Sequence, residues 1–297
     1  MPSHLPEHPP AAYNLTLPDG RRLGYACYGS PDGRPVVYLH GLPGSRLECQ
    51  LIEATARAAG VRVLAPDRPG YGLTQPRSDA SLLAWTADIS GLADTLGIGR
   101  FRVIGVSGGA PCALACARAL PERIPRVALV AGLGPLENAD LRRDMRFSAR
   151  LAFYLGSRVP GLFYLVAGLP LTGLARSHPA LLVRLIAAIN GSPDREVLLD
   201  AASLAAFSDS IRLCFEQGSR GSLTDLQLFR RPWEFSPGEI RQPVQLWHGT
   251  RDKVVPVSHS RYLQARLPHA SLDVVTGAGH FSLPLEHMQA ILDGLMT

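Results

Sequence analysis

A serine flanked by glycines, Gly105-Val106-Ser107-Gly108-Gly109, closes the apolar run Val103–Val106, and the helical pattern "GGAPCALACARALP" follows at once. At such a strand-to-helix corner the backbone is strained and the serine Oγ is pushed out past the strand end. The corner requires small neighbours, which accounts for Gly105 and Gly109. A helix start behind the serine favours developing negative charge. With 29 glycines in the chain, the pentapeptide takes its weight from this context. A serine hydroxyl is a weak nucleophile near neutral pH; it needs a base, and the base needs an orienting carboxylate. Two further loops carry those groups. "PVQLWHGTRDKVVP" places Asp252 after one strand-like run, and "SLDVVTGAGHF" places His280 after the next. Acyl transfer also needs donors for an oxyanion. The Gly/Pro-rich loop in "YLHGLPGSR" can aim the Leu42 backbone N–H at the site, and the Gly108 N–H supplies a second donor.

These groups must be brought to one place by the elements that carry them. "YNLTL" and "DGRRLGYACYG" read as a hairpin with Asp19-Gly20 in the turn. "PVVYLHG", "VRVLAPD", "FRVIGV", "RVALVAG", "PVQLWHG" and "SLDVVTG" are short apolar runs of the kind found in buried strands. Helical patterns alternate with them: "SRLECQLIEATARAAG" closed by Gly60, "SLLAWTADISGLADTLGIG", and the stretch from Gly108 to Pro121. This alternation predicts an α/β fold, with a mainly parallel twisted sheet and helices on both faces. Ser107, Asp252 and His280 then all follow the carboxyl ends of strands. Between about Pro135 and Pro232 the alternation gives way to helices broken by Pro and Gly. The expected division is therefore a core first part over 1–134, with 1–12 a frayed tail, a helical lid over 135–232, and a core second part over 233–297.

The chain resembles the α/β-hydrolase superfamily along nearly all of its length, through "HGLPGSR", "DRPGYG", "GVSGGAP", "GTRDKVVP" and "GAGHF". The order Ser, Asp, His along the chain is the one expected of that arrangement. The resemblance implies Ser107 as nucleophile, Asp252 as acid, His280 as base, and an oxyanion hole of the Leu42 and Gly108 N–H groups. It also implies cleavage of an acyl bond, a carboxylic ester or lactone, through an acyl-enzyme with neither cofactor nor metal. Superfamily members that open epoxides or remove halide carry Asp at the nucleophile position, and Ser107 stands against both chemistries. Carbon–carbon bond hydrolysis and thioester cleavage or cyclisation are the alternatives within catalysis. A non-hydrolytic binding protein is the alternative outside it.

Other residues compete for these roles. Glu137 or Asp140, after the sixth strand, could replace Asp252 as the acid. His248, His259, His269 and His287 fall in strand or helix contexts that read as packing or surface positions, and His40 reads as bonded within its own loop. Asp67 and Arg68 read as loop pins, Cys112 and Cys116 as small core residues, and Asp225, Trp233 and Phe235 as core packing at the end of the lid.

Composition narrows the partners. The net charge of +5 carries no basic cluster interleaved with aromatics, which argues against nucleic acid. Five cysteines without metal-like spacing and a start lacking a signal pattern point to reduced thiols and a cytoplasmic setting. The expected partner is a small apolar molecule, and a homodimer stays open. The uncharged run Val159–Ala175 is short and broken for a membrane span. Between Leu141 and Asn190 seven arginines face the single acid Asp144, a formal charge of +6. The plain reading is a solvated basic face; the sharper one is attraction of an anionic substrate or surface.

Overall fold

In the computed structural model the described residues are 12–297, so the expected tail lies outside them except for Ala12. Strands β1 (Tyr13–Thr16) and β2 (Arg22–Gly29) form an antiparallel hairpin with Tyr13 opposite Tyr25. Gly20, in its turn, has φ +83°, a left-handed conformation that glycine adopts without a Cβ penalty. β3 (Arg34–Leu39) leads through a 3₁₀ turn (Arg46–Ile52) into α1 (Glu53–Ala58) and β4 (Val61–Pro66). Next come α2 (Ala84–Thr95), β5 (Arg102–Val106), α3 (Ala110–Ala119) and β6 (Val127–Val130).

The eight-stranded sheet has the order β1-β2-β4-β3-β5-β6-β7-β8. The last two strands are β7 (Val244–Gly249) and β8 (Ala270–Val275). Only the β1–β2 and β2–β4 pairings are antiparallel. The strand order reverses between β3 and β5, so their carboxyl ends diverge into a crevice, the usual ligand position in open α/β sheets.

Apolar side chains leave the central strands on both faces. Val37, Val103 and Leu129 join a core with Ile89 and Leu92 of α2 and Leu114 of α3. Val36, Ile104 and Val130 join a second core beneath Ala56 of α1. The C-terminal helix supplies Leu283, Ile291 and Leu295 to that second core. Burial on both sides is why these strands read as continuous apolar runs rather than alternating ones. β8, at the sheet edge, is largely exposed on one face.

Between β6 and β7 lie the helices α4 (Ala139–Asp144), α5 (Phe147–Arg158), α6 (Pro160–Phe163) and α7 (Leu169–Ser177), the last two joined by a π-type turn over Tyr164–Gly168. α8 (Pro179–Asn190), α9 (Asp194–Leu199), α10 (Ala201–Cys214) and α11 (Arg220–Arg230) complete this insertion. α12 (Ser258–Gln264) and α13 (Ser282–Met296) belong to the second half of the core. No helix of the described residues is long and apolar enough to cross a membrane.

One local expectation fails. Residues 45–60, read as one amphipathic helix, split into the 3₁₀ turn and the short α1. Arg46 in that turn is buried against the Asp67 carboxylate, and its N–H donates to Asp67 Oδ1 at 2.8 Å. The Ser45 side chain accepts the Leu47 N–H at 3.3 Å. These tertiary bonds draw the first turn off the path that sequence periodicity predicts.

Candidate active site

Ser107 has φ +52°, one of two non-glycine residues in the left-handed region among those described. Such a conformation costs on the order of 1–3 kcal/mol and persists only where the surroundings over-determine it. They do so here. A Cβ at Gly105 would come within 2.7 Å of both Ala113 Cβ and the Gly109 carbonyl oxygen, and one at Gly109 would run into the Leu39 carbonyl oxygen. β5, the turn Ser107–Gly109 and α3 are thus packed backbone on backbone, and the serine side chain is turned toward the crevice.

The Ser107 Oγ lies 3.0 Å from His280 Nε2, and His280 Nδ1 lies 2.7 Å from Asp252 Oδ2. All three side chains are buried. Asp252 Oδ1 accepts the N–H groups of Val254 (2.8 Å) and Val255 (2.9 Å), so the carboxylate is fixed from its own loop. Burial alone would push the Asp252 pKa up. The charge on His280 and hydrogen bonds from His248 and His280 outweigh it and hold this carboxyl well below the usual range. Burial likewise opposes a charged His280, and the Asp252 carboxylate overcomes it, so the imidazole pKa lies above its ordinary 6.5. A carboxylate accepting from Nδ1–H leaves the Nε2 lone pair facing the serine O–H. Glu137 and Asp140, the competing acids, are both exposed, and Asp140 pairs with Arg143 at 3.2 Å.

The other histidines sort by their contacts. His40 Nδ1 bonds the Gly41 carbonyl at 2.9 Å, within its own loop as expected. His259 Nδ1 accepts the Gly134 N–H, and burial lowers its pKa to about 4. His248 is more than packing. Its Nε2 lies 2.8 Å from the Val255 carbonyl and 3.4 Å from Asp252 Oδ2, so it braces the acid loop.

Leu42 and Gly108 lie side by side at the Ser107 corner: a Cβ at Gly108 would sit 3.0 Å from Leu42 Cβ and 3.4 Å from the Leu42 nitrogen. The loop that carries Leu42 is held from beneath by Arg68. Its guanidinium donates to the His40 carbonyl, to the Gly41 carbonyl (2.9 Å) and to Asp225 Oδ2 (2.8 Å). The Tyr71 hydroxyl donates to the same carboxylate oxygen at 2.6 Å. Asp225 sits on α11 of the insertion, so it is an ion-pair anchor rather than the core-packing residue expected from sequence. Trp233 and Phe235 do pack in the core, stacked with ring centroids 5.4 Å apart.

Sequence reasoning missed two acids. Asp194, the first residue of α9, is buried and accepts three consecutive backbone N–H groups: His280 (2.9 Å), Phe281 (2.9 Å) and Ser282 (3.0 Å). It therefore ties the histidine loop to the insertion. The only trace in the sequence is Gly279, where a Cβ would strike the Asp194 carboxylate. Asp194→Ala should destabilise the fold by about 3 kcal/mol, because three buried donors lose a charged acceptor. It should also lower kcat by about a hundredfold through displacement of His280. Denaturant melts and kcat measured together check both; full activity would show that the loop holds its own shape.

The second acid is Glu48. It lies on the wall of the crevice and accepts the Gly41 N–H at 3.3 Å, and burial pushes its pKa up to about 7. Two titratable groups near the serine thus both have pKa values raised above their ordinary ones. Activity should rise with pH through a midpoint above 6.5, because the raised His280 pKa keeps the base protonated, and idle, on the acid side. Glu48→Gln should leave that limb in place. A limb that vanished in the variant would belong to Glu48 instead.

Two cavities of about 270 Å³ each meet at Ser107. The first is lined by His280, Phe207, Phe281 and Ile186, with Glu48, Arg146 and Lys253 as charged groups. The second is lined by Gly108, Leu133, Phe153, Phe215 and Leu226 and carries no charged side chain. Leu42, Pro43, Ala149 and Val254 belong to both. Among the described residues no group of three or more His, Cys, Asp or Glu is placed to hold a metal ion, and the five cysteines are unpaired.

Comparison with known proteins agrees with this architecture. The profile of the α/β-hydrolase fold family matches residues 34–286. A non-heme chloroperoxidase of Streptomyces lividans is 32% identical over 283 residues, covering 90% of this chain and 92% of that protein. An esterase structure from Exiguobacterium antarcticum superposes with a TM-score of 0.69 at 16% identity, covering 96% of this chain and 98% of the other. An enol-lactonase structure from Burkholderia xenovorans gives 0.68 at 19% identity, with the same coverage. By its sequence and its fold, this chain belongs to the α/β-hydrolase family.

Proposed function

We propose that the chain is a serine hydrolase that cleaves a carboxylic ester or lactone through an acyl-enzyme. The observation that carries this reading is the continuous hydrogen-bond path from Ser107 through His280 to Asp252 at the meeting point of two cavities. Ser107 Oγ attacks the carbonyl carbon while His280 Nε2 takes its proton, and Asp252 stays ionised and stabilises the imidazolium. The Leu42 and Gly108 N–H groups receive the oxyanion. His280 then gives its proton to the leaving oxygen, and water activated by the same imidazole releases the acid.

The leaving oxygen must lie on the His280 side. The first cavity therefore holds the alcohol arm, and the uncharged second cavity, beside Gly108, holds an apolar acyl arm. The insertion over 135–232 acts as the lid that closes both. The esterase and enol-lactonase among its structural relatives support ester and lactone substrates.

A fluorophosphonate probe should label the wild-type protein at Ser107 and leave Ser107→Ala unlabelled. A chain-length series of p-nitrophenyl esters then reads the acyl cavity. Failure of the wild type to label would leave a binding protein on this fold as the better reading.

A further inference from the structure

Among the described residues fourteen large hydrophobic side chains are exposed, and twelve of them lie between Phe147 and Leu199. Ten of these are arranged at helical spacing on the outer sides of three helical segments. α5 presents Phe147, Leu151 and Tyr154; Phe147 is 72% exposed. The run from Pro160 to Ser177 presents Leu162, Leu165, Val166 and Leu169, with Leu165 at 61% and Val166 at 62%. α8 presents Leu181, Leu185 and Ile189.

The inner sides of the same segments are already occupied. Phe153, Phe163 and Tyr164 line the second cavity, and Val183 and Ile186 line the first. A helix that is apolar on all sides is ordinarily covered on all sides. α8 comes close to this, and its outer side is uncovered. α5 adjoins it, since the Arg146 guanidinium donates to the Ile189 carbonyl at 3.1 Å. An apolar surface this extended on an otherwise polar exterior marks an interaction face.

The charges on that face identify the partner. Arg150, Arg158 and Arg184 are exposed among the apolar side chains, and none has a carboxylate within 4.0 Å among the described residues. Arg230 lies 5.7 Å from the Tyr154 ring centroid, and burial, with the charges of Arg142 and Arg158 added to it, lowers its pKa. Two copies meeting through this face would set like charges against each other. An anionic lipid surface would accept the arginines and the apolar stripes together, as it does for interfacial amphipathic helices.

We propose that the outer side of α5, the Pro160–Ser177 segment and α8 is a peripheral docking surface for anionic lipid. Arg146 and Ile189 also rim the first cavity, so the docked face would stand at the mouth of the site. Docking is independent of the catalytic reading.

The test is vesicle flotation of the Ser107→Ala protein, which reads binding without turnover. The protein should float with vesicles of phosphatidylcholine containing about one-third phosphatidylglycerol, float weakly with phosphatidylcholine alone, and be released by high salt. The triple change Arg150→Gln, Arg158→Gln and Arg184→Gln should weaken partitioning on the order of a hundredfold. Leu165→Glu with Val166→Glu should abolish it. In the protein with Ser107 intact, both sets should leave labelling by the soluble fluorophosphonate unchanged. No flotation with anionic vesicles, or a dimer in sedimentation velocity that Leu165→Glu with Val166→Glu dissociates, would overturn the proposal. The second result would make the face a self-association surface.

Discussion

Replacing Ser107 with alanine should lower turnover of a soluble ester by on the order of a million-fold, while the circular dichroism spectrum and the melting temperature should stay close to those of the wild type. The magnitude is that of removing a nucleophile from a unit whose members act together. The fold is spared because the strain at this corner comes from backbone packing. The positive φ of residue 107 is imposed by the close contacts at Gly105 and Gly109, and alanine meets the same backbone environment as serine. Steady-state kinetics on a p-nitrophenyl ester checks it. Residual activity above a few per cent would mean that the bond is broken by another group, and Glu48 would be the first to examine.

Asp252→Asn should give the second large effect, a loss of roughly ten-thousand-fold in kcat with little change in KM. An amide in place of the carboxylate can donate to His280 Nδ1, and that favours the tautomer with the proton on Nε2, where the serine hydroxyl needs a lone pair. The loop survives, because asparagine Oδ1 can still accept from Val254 and Val255. Glu137→Gln and Asp140→Asn serve as controls, and both should behave as wild type because their side chains are exposed. The assignment of the acid fails if either control is the damaging change and Asp252→Asn is mild. The two large effects also separate by pH: Ser107→Ala is inactive throughout, whereas activity left in Asp252→Asn should no longer follow a raised imidazole pKa.

Much of this was legible before the fold because it is local. A buried parallel strand must be a short apolar run, so β3 to β7 announce themselves. A strand-to-helix corner that displays a side chain must be flanked by residues without bulk, so Gly105, Gly108 and Gly109 mark Ser107. The Asp19-Gly20 turn needs a residue tolerant of positive φ. Asp252 and His280 were legible as loop residues after strands, because the sheet places every such loop at one edge.

What tertiary structure alone decided are relations between segments far apart in the chain. Which acid faces His280 depended on whether the loop after β6 or the loop after β7 reached it, and spacing along the chain carries no such information. Asp194 looks like an ordinary acid at a helix start until α9 is laid against the histidine loop 86 residues later. The Arg68–Asp225 pair spans 157 residues, and neither residue has a local reason to be charged and buried. The exposed stripes of α5 and α8 are equally silent in sequence. An apolar residue at helical spacing reads as buried by default, and only the packed structure shows which side of each helix was left without a partner.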